Sequence, residues 1–404
     1  MENKYKNYSL YWGDIHIHSA ISRGCFKFGL QPKGYDGTPL DCYRFAKEVA
    51  KLDFAAVTDH DCIRMKREMT EKDWKKTIES AEKMNKKGEF VTIPAYEYTN
   101  NLYGHYNVYF QEPNLDILSC DVYVKPSQLW KALAKQKNVL TIPHHVARYQ
   151  TPLDWNYYHK EFEPVTEITS GWGDYEFAGN EFECDPNWSP SIPGHFVRDA
   201  LQRGYMLGFV GGGDIHNGRS GGRFDIDVHK MENLPQHLVK MLTYRKHPLG
   251  GGLTGVYTDS LSREKIFEAI KKRRCYATSG YKIAIKFWLN EHVMGESASL
   301  KKEYPPGLKV KVDISNVKNL LHSIEIIRNG HTLARGGGGG REEIEFTSKN
   351  IATFKFTDKF KSTLLGEVLP DIVSPEGKNL IYYYARVTLK NGVKAWTSPV
   401  WLEK

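Results

Sequence analysis

From residue 8 to about residue 280, short apolar runs alternate with stretches whose apolar positions recur at helical spacing. The runs LYWGDIHIH, FAAVTDH, FVTIPAYE, VLTIPHH, PVTEITSG and YMLGFVGGGDIH predict strands. Between them, TPLDCYRFAKEVAKL predicts a helix with Thr38 as N-cap and Pro39 at its first position. The Lys/Glu-rich stretch around 70–87, KPSQLWKALAKQ and PGHFVRDALQRG predict three more, and SREKIFEAIKKRR predicts another that begins near Ser262. This alternation is the pattern of a parallel α/β architecture. Beyond about residue 281 the texture changes to KIAIKFWLN, LKVKVDIS, HSIEIIRNG, LIYYYARVTL and KAWTSPVWL, with Asn-Gly turns at 329–330 and 391–392. The expected organisation is therefore an α/β unit over 1–280 and a small antiparallel β-sandwich domain over 281–404. The glycine run 336–340 is followed by REEIEF rather than by a helix, so it reads as a hairpin loop and not as a phosphate cradle.

Nearly every predicted strand of the first unit ends in a histidine or a carboxylate. In an extended strand Asp14, His16 and His18 share one face while Ile15 and Ile17 take the other. The remaining strand ends supply Asp59 and His60 in VTDHD, Glu97 in PAYEYT, His105 in YGHYNV, His144 and His145 in IPHHVAR, and Asp214 and His216 in GGGDIHNG. Each has a dull explanation alone, as a hydrogen-bonded core histidine or a capping aspartate. Their recurrence at the same edge, where α/β proteins build active sites, predicts a metal centre. Imidazole and carboxylate without thiolate suit zinc, manganese or iron, often as more than one ion.

Composition narrows the setting. The 404 residues carry a net charge of +8, a mild basic excess that permits an anionic small-molecule substrate without demanding nucleic acid. The densest basic run, KKRR at 271–274, closes a predicted helix, where cations complement the helix dipole. No apolar run is long enough to cross a bilayer and the first residues lack a signal peptide's apolar core, so no membrane partner and a cytoplasmic location are expected. Six scattered cysteines without a CxxC pair point to neither a disulfide framework nor a thiolate metal site.

Taken in order, HxH, TDH, a lone Glu, a His eight residues later, a strand-end His and DxH resemble the PHP (polymerase and histidinol phosphatase) superfamily of metallohydrolases. Within it, GDIHIHS, the GHYNV after Glu97, IPHH, CYATSG and the tail YYYARVTLKNGVKAWTSPVWL look like the CehA/McbA-type subgroup. The resemblance implies a distorted (β/α)7 barrel with two or three divalent ions at the strand C-termini. Carried over, His16, His18, Glu97 and Asp214 would hold the first ion. Glu97 would bridge to a second held with His105 and His144 or His145, and His60 and His216 would contribute to a third. One departure stands out: where many members place a further ligand after the HxH, SAISRG offers Arg23. Its guanidinium cannot coordinate a cation, so Arg23 is expected to weaken the third position and to face the substrate anion.

The implied activity is metal-assisted hydrolysis, with a phosphoester as the first expectation. Because neighbouring strand residues face opposite ways, His145 is the expected general acid if His144 is a ligand. Arg23, Arg64, Arg148 and Arg219 are candidate anion contacts. An ester, amide or carbamate substrate is the nearest alternative, and an aromatic pocket of Trp172, Trp188 and Tyr175 would favour it. A non-catalytic metal-binding scaffold is a third reading. The β domain is expected to serve packing or homo-oligomer formation.

Overall fold

The computed structural model describes residues 3–23, 26, 31–61, 69–113, 116–184, 189–221, 251–359 and 372–404. Strands β1 (Ser9–Ile17), β2 (Phe54–Val57) and β3 (Val91–Thr92) lie side by side and parallel. The strands β4 (Ala95–Asn100), β5 (Gly104–Phe110) and β6 (Val139–His144) form an antiparallel sheet. Next come β7 (Val165–Ser170), β8 (Gly173–Asp174) and β9 (Gly208–Gly211), with β7 antiparallel to β8 and parallel to β9. Finally β10 (Leu253–Thr258) and β11 (Cys275–Thr278) pair antiparallel, and β10 also runs antiparallel to β1.

These strands make a closed circuit. The Thr166 hydroxyl donates to Pro143 O across β6 and β7. Between β9 and β10, Thr254 Oγ1 accepts from Gly211 N and donates to Gly211 O. A parallel bridge between His60 and Glu97 joins the end of β2 to β4. The protein is thus a mixed α/β structure, but the parallel pairing expected from the alternation holds only in part: within the circuit, pairing is parallel only at β1–β2–β3, at β7–β9 and at single bridges. One physical reason is local. Only residues 101–103 separate β4 from β5, enough for a hairpin but not for the crossover that parallel neighbours require.

Helix formation follows the sequence signals closely. Pro39–Glu48 starts with Thr38 and Asp41 in a reciprocal capping box, and Glu71–Met84 repeats the device with Thr70 and Asp73. Pro126–Leu133, Val197–Gln202 and Arg263–Lys271 complete the predicted set, the last capped by Ser262. The basic run after it is not merely solvated. Arg273 lies over the Trp401 ring and Arg274 over Tyr8, so the two arginines close packing seams between distant segments.

The C-terminal strands form two antiparallel layers. One contains β12 (Ala284–Leu289), β13 (His292–Val293), β15 (Gly307–Asp313), β18 (Glu345–Ser348) and β19 (Ile351–Thr357), while the short β14 (Ser297–Ser299) lies at the edge of the other layer, parallel to its last strand. The other contains β16 (Leu321–Arg328), β17 (His331–Gly337), β20 (Ile372–Val373), β21 (Asn379–Leu389), β22 (Lys394–Thr397) and β23 (Val400–Glu403). Ile285, Phe287, Val310, Val312 and Phe354 of the first layer share a core with Ile324, Ile326, Ile381 and Tyr383 of the second. The Asn329–Gly330 turn has φ of 47° and 83°, the doubly left-handed geometry of a tight hairpin. The glycine run begins as the end of β17 and only then turns. Backbone pairing crosses the expected boundary at residue 280: β22 pairs with β11, Ala277 opposite Trp396, so one sheet runs from β3 into the C-terminal strands.

Candidate metal centre

The ends of β1, β4, β5, β6 and β9 converge on one buried point, occupied by Glu97. Its Oε2 faces His18 Nε2 at 3.2 Å and His16 Nε2 at 3.6 Å. Its Oε1 faces His105 Nδ1 at 2.6 Å, His60 Nδ1 at 3.2 Å and His144 Nε2 at 3.5 Å. Asp214 Oδ1 lies 3.3 Å from His18 Nε2, 3.5 Å from His16 Nε2 and 3.7 Å from His216 Nδ1. Four overlapping groups result: Glu97 with His105, His144 and His145; His18 with His60 and His216; His16 with His18 and Glu97; His16 with His144 and Asp214. Within each group the nearest ligand atoms lie within 4.8 Å of one another.

Most of the rings are held by one nitrogen so that the other faces the cluster. His16 Nδ1 meets Glu167 Oε2 at 3.0 Å, and His105 Nε2 meets Asn101 Oδ1 at 3.0 Å. His60 Nδ1 meets Thr99 Oγ1 at 2.8 Å, and His145 Nδ1 meets Thr151 Oγ1 at 3.2 Å. His18 Nδ1 lies 3.0 Å from Ser22 Oγ, whose own proton goes to Asp59 Oδ1 at 2.6 Å. Ser22 therefore accepts from the ring Nδ1–H, which leaves Nε2 as the His18 nitrogen that faces Glu97. His144 alone has no hydrogen-bond partner at either ring nitrogen, although it is fully buried.

Two backbone conformations shape the cluster. His145 has φ of 34° and Asp214 φ of 49°, both in the left-handed region that non-glycine residues seldom enter. The first overturns the expectation that His144 and His145 must face opposite ways. The strand ends at His144, and the twist at the next residue returns His145 to the same side. The second follows Gly211, Gly212 and Gly213, whose lack of side chains lets β9 approach β1. A Cβ on Gly212 would strike the Glu167 carboxylate and lie 2.5 Å from His16 Cβ, and one on Gly213 would lie 2.7 Å from Asp14 Oδ2.

The electrostatics divide the ligands into two kinds. Burial would raise the carboxyl pKa values, but His60, His144 and His105 hold Glu97 well below the usual carboxylate range. His16, His18 and His216 do the same for Asp214. Burial opposes protonation of His16 and His18, yet the neighbouring carboxylates lift both above the ordinary imidazole value. His105 and His145 are pulled down by burial, His145 strongly, with the charges of His144, His105 and Arg148 adding to it. A ring so depressed offers a lone pair rather than a proton at neutral pH, which suits a ligand better than the general acid expected of His145. Burial lifts Asp14 to about 6 although it accepts from the backbone of His16, Gly213 and Gly221. Asp61, buried and accepting from Thr99 N and Cys120 N, is lifted to about 7.

All the ligand candidates therefore meet, but the arginines behave differently. Arg23 is exposed, at the end of the short helical turn Ala20–Ser22. Arg148 is half-buried, donates from Nε to Ser189 Oγ at 2.9 Å and stacks 4.5 Å above the Trp172 ring. Arg219 is half-buried beside Asn217, while Arg64 and Trp188 lie outside the described residues. Tyr175 is fully buried with its hydroxyl on Cys184 Sγ, so it does not line an open aromatic pocket. Cys42, Cys120, Cys184 and Cys275 are buried; Cys25 and Cys62 lie outside the described residues. Asp59, expected among the strand-end residues, instead supports the cluster by accepting from Ser19 and Ser22, and sequence reading overlooked the other supports: Glu167, Ser19, Ser22, Thr99, Asn101 and Thr151. Glu167 alone left a signal, the one charged residue within the strand-like run PVTEITSG.

A family model described as "Protein of unknown function (DUF3604)" matches residues 60–150 and 158–308, more than half of the chain. The chain belongs to this DUF3604 family. The matched parts hold His60, Glu97, His105, His144, His145, Asp214 and His216, whereas His16 and His18 precede them. Uncharacterized proteins of Chlamydia muridarum and Chlamydia trachomatis are each 26% identical over 378 residues, covering 91% of this DUF3604 chain and 55% of theirs. One from Chlamydia pneumoniae is 26% identical over 373 residues, 90% of this chain and 54% of its own. The chain thus spans about half the length of these curated relatives. Among solved structures, a Bacteroides vulgatus two-domain protein containing a predicted PHP-like metal-dependent phosphoesterase aligns with a TM-score of 0.43 and 13% identity, covering 98% of this chain and 96% of that one. Among the described residues no helix is long and apolar enough to cross a membrane.

Proposed function

We propose that this DUF3604 protein is a metal-dependent hydrolase of PHP type, related to the CehA/McbA-type subgroup, acting on a phosphoester of a small molecule. The observation that carries the reading is the donor set. Five imidazoles are each anchored at one nitrogen around two buried carboxylates held in their charged form, and His144 is buried with neither nitrogen hydrogen-bonded. Leaving such polar atoms without partners costs about 1–3 kcal/mol each, which a bound cation would offset.

Two or three divalent ions, zinc, manganese or iron, fit the overlapping groups. His16, His18, Glu97 and Asp214 would hold one, Glu97 with His105, His144 and His145 a second, and His18, His60 and His216 a third. When bound, such ions lower the pKa of a coordinated water toward about 7 and polarise the scissile group. The protein's own groups then have defined tasks. Glu97, with one oxygen toward each side of the cluster, is placed to bridge. Glu167, Ser22, Thr99, Asn101 and Thr151 fix ring orientation. Arg148, half-buried beside His145 and His105, is the cation best placed to hold a substrate anion, and Arg23 is a second, exposed one. The test is elemental analysis of the purified protein combined with a panel of phosphate, carboxylate and carbamate esters. Metal together with phosphoester turnover supports the reading. Turnover of carboxylate or carbamate esters alone moves the assignment to that bond, and metal without any turnover leaves a scaffold.

A further inference from the structure

Glu176 has no part in the metal cluster, yet it is among the most heavily bonded carboxylates in the protein. It is buried, and among the described residues every donor that reaches its side chain comes from the C-terminal strands. Tyr384 Oη donates to Oε1 at 2.6 Å, Arg386 Nη1 contacts both oxygens at 2.8 Å, and Trp396 Nε1 donates to Oε2 at 2.7 Å. Arg386 is itself fixed by Glu325, with Nε to Oε2 at 2.9 Å. A second tie runs parallel to this one. Lys394 Nζ lies 3.8 Å from Asp174 Oδ2, while Asp174 Oδ1 accepts from Thr169 Oγ1 at 2.7 Å.

Both carboxylates sit on the segment that follows β7, immediately after the β7–β8 turn. That turn touches the candidate site at two points. Gly171 N donates to Gly213 O at 2.9 Å, next to Asp214, and Trp172 lies beneath the Arg148 guanidinium. The upstream strand carries Glu167, which orients His16. A charged clamp of this kind is an odd choice for packing alone, because a buried ion pair is often no more stabilising than an apolar replacement of the same shape. Its contribution is direction: several donors converging on one carboxylate fix the position of the backbone that carries it.

We infer that Glu176 is a positioning residue, through which the C-terminal strands hold the β7–β8 turn, and with it Trp172 and Arg148, at the mouth of the metal cluster. For its catalytic consequence the inference rests on the proposed hydrolase reading; its structural content does not. The C-terminal strands then contribute to substrate binding without placing a group in the site.

The experiment uses the full chain and the variants Glu176→Gln, Tyr384→Phe and Trp396→Phe; Tyr384→Phe removes one donor with little change of shape, and Trp396→Phe removes another while also leaving a smaller ring in the core. Asp358→Asn is the control. It breaks another C-terminal ion pair of the same kind, Arg328 Nη1 to Asp358 Oδ2 at 2.6 Å, away from this turn. Amide hydrogen exchange on the metal-free protein is read first. Exchange at Gly171, Trp172 and Tyr175 should quicken at least about tenfold in the Glu176 variant and not in the control, although both melt at lower temperature. Where the wild type turns over a phosphate ester, Glu176→Gln should raise KM several-fold with kcat and metal content little changed, and its effect should be non-additive with Arg148→Met. Equal exchange in the Glu176 variant and the control, or additive effects with Arg148→Met, would overturn the inference. A wild type without turnover defeats the hydrolase reading only, since the exchange measurement still decides the positioning role.

Discussion

Anchoring one ring nitrogen is what turns a histidine from a core filler into a ligand, and here the anchors are the part the sequence hid. HxH could be read from strand alternation and DxH from its place at the end of a strand-like run, but Glu167, Thr99 and Thr151 come from other strands and loops that only folding brings beside the rings. Glu167→Ala should therefore lower affinity for zinc or manganese by about 10- to 100-fold, as losses of ligand-orienting partners do. Isothermal titration would check this, and unchanged affinity would show that His16 needs no orienting carboxylate. Another buried carboxylate answers to pH. Glu163 is buried, accepts only from His159 N through Oε2, and leaves Oε1 unpartnered, so burial raises its pKa well above the usual value. Its folded pKa exceeds its unfolded one, so the unfolded chain releases the proton first, and the stability of the fold falls as pH rises from the unfolded value toward the folded one. Glu163→Gln keeps an acceptor for His159 N and removes that loss. It should gain on the order of 1 kcal/mol at neutral pH and flatten the pH dependence of thermal unfolding. A variant that melts lower than wild type at pH 7 would count against the assignment.

Strands and helices were legible where the signal was local. Thr38 with Pro39 and Ser262 mark helix starts because capping is settled within a single turn, and the structure begins its helices there. Strand direction is different, since neighbours in the circuit are far apart in sequence. The antiparallel partnership of β1 with β10 joins Ser9 to Thr258, and nothing in either run announces it. The GGGD stretch lies between these cases. Its glycines signalled a special backbone, but the reason, close approach of β9 to β1, is a tertiary fact. Gly212→Ala should consequently do more than remove flexibility. The new methyl meets the Glu167 carboxylate and His16 together, so the cost should be about 1–3 kcal/mol of stability, accompanied by weaker metal binding. Thermal unfolding with metal titration tests both, and a variant normal in each would mean that β9 can withdraw from β1 without disturbing the rings.

The change of texture near residue 281 was visible in the sequence because a run of alternating strands with Asn-Gly turns differs locally from what precedes it. What it could not convey is that β22 continues the sheet of β10 and β11, so that the core of the C-terminal layers and the circuit around the metal cluster are joined through hydrogen-bonded backbone. This continuity bears on metal removal. Ligand candidates come from β1, from the turn after β2, from β4, β5 and β6, and from the turn after β9, so a bound ion ties together strands from around the whole circuit. Its loss should lower the stability of the entire fold and not merely loosen a loop. By mass action, an ion present at a hundredfold excess over its Kd adds about 2.7 kcal/mol to the unfolding free energy, provided the unfolded chain does not compete for it. Chelation should therefore shift the whole cooperative melt downward, and restoring zinc or manganese should return it. Glu97→Ala, which removes the carboxylate shared between the groups, should melt at nearly the same temperature with and without metal. If chelation left the wild-type melt in place, or if Glu97→Ala responded to metal as fully as wild type, the ion would not be held at this convergence of strands.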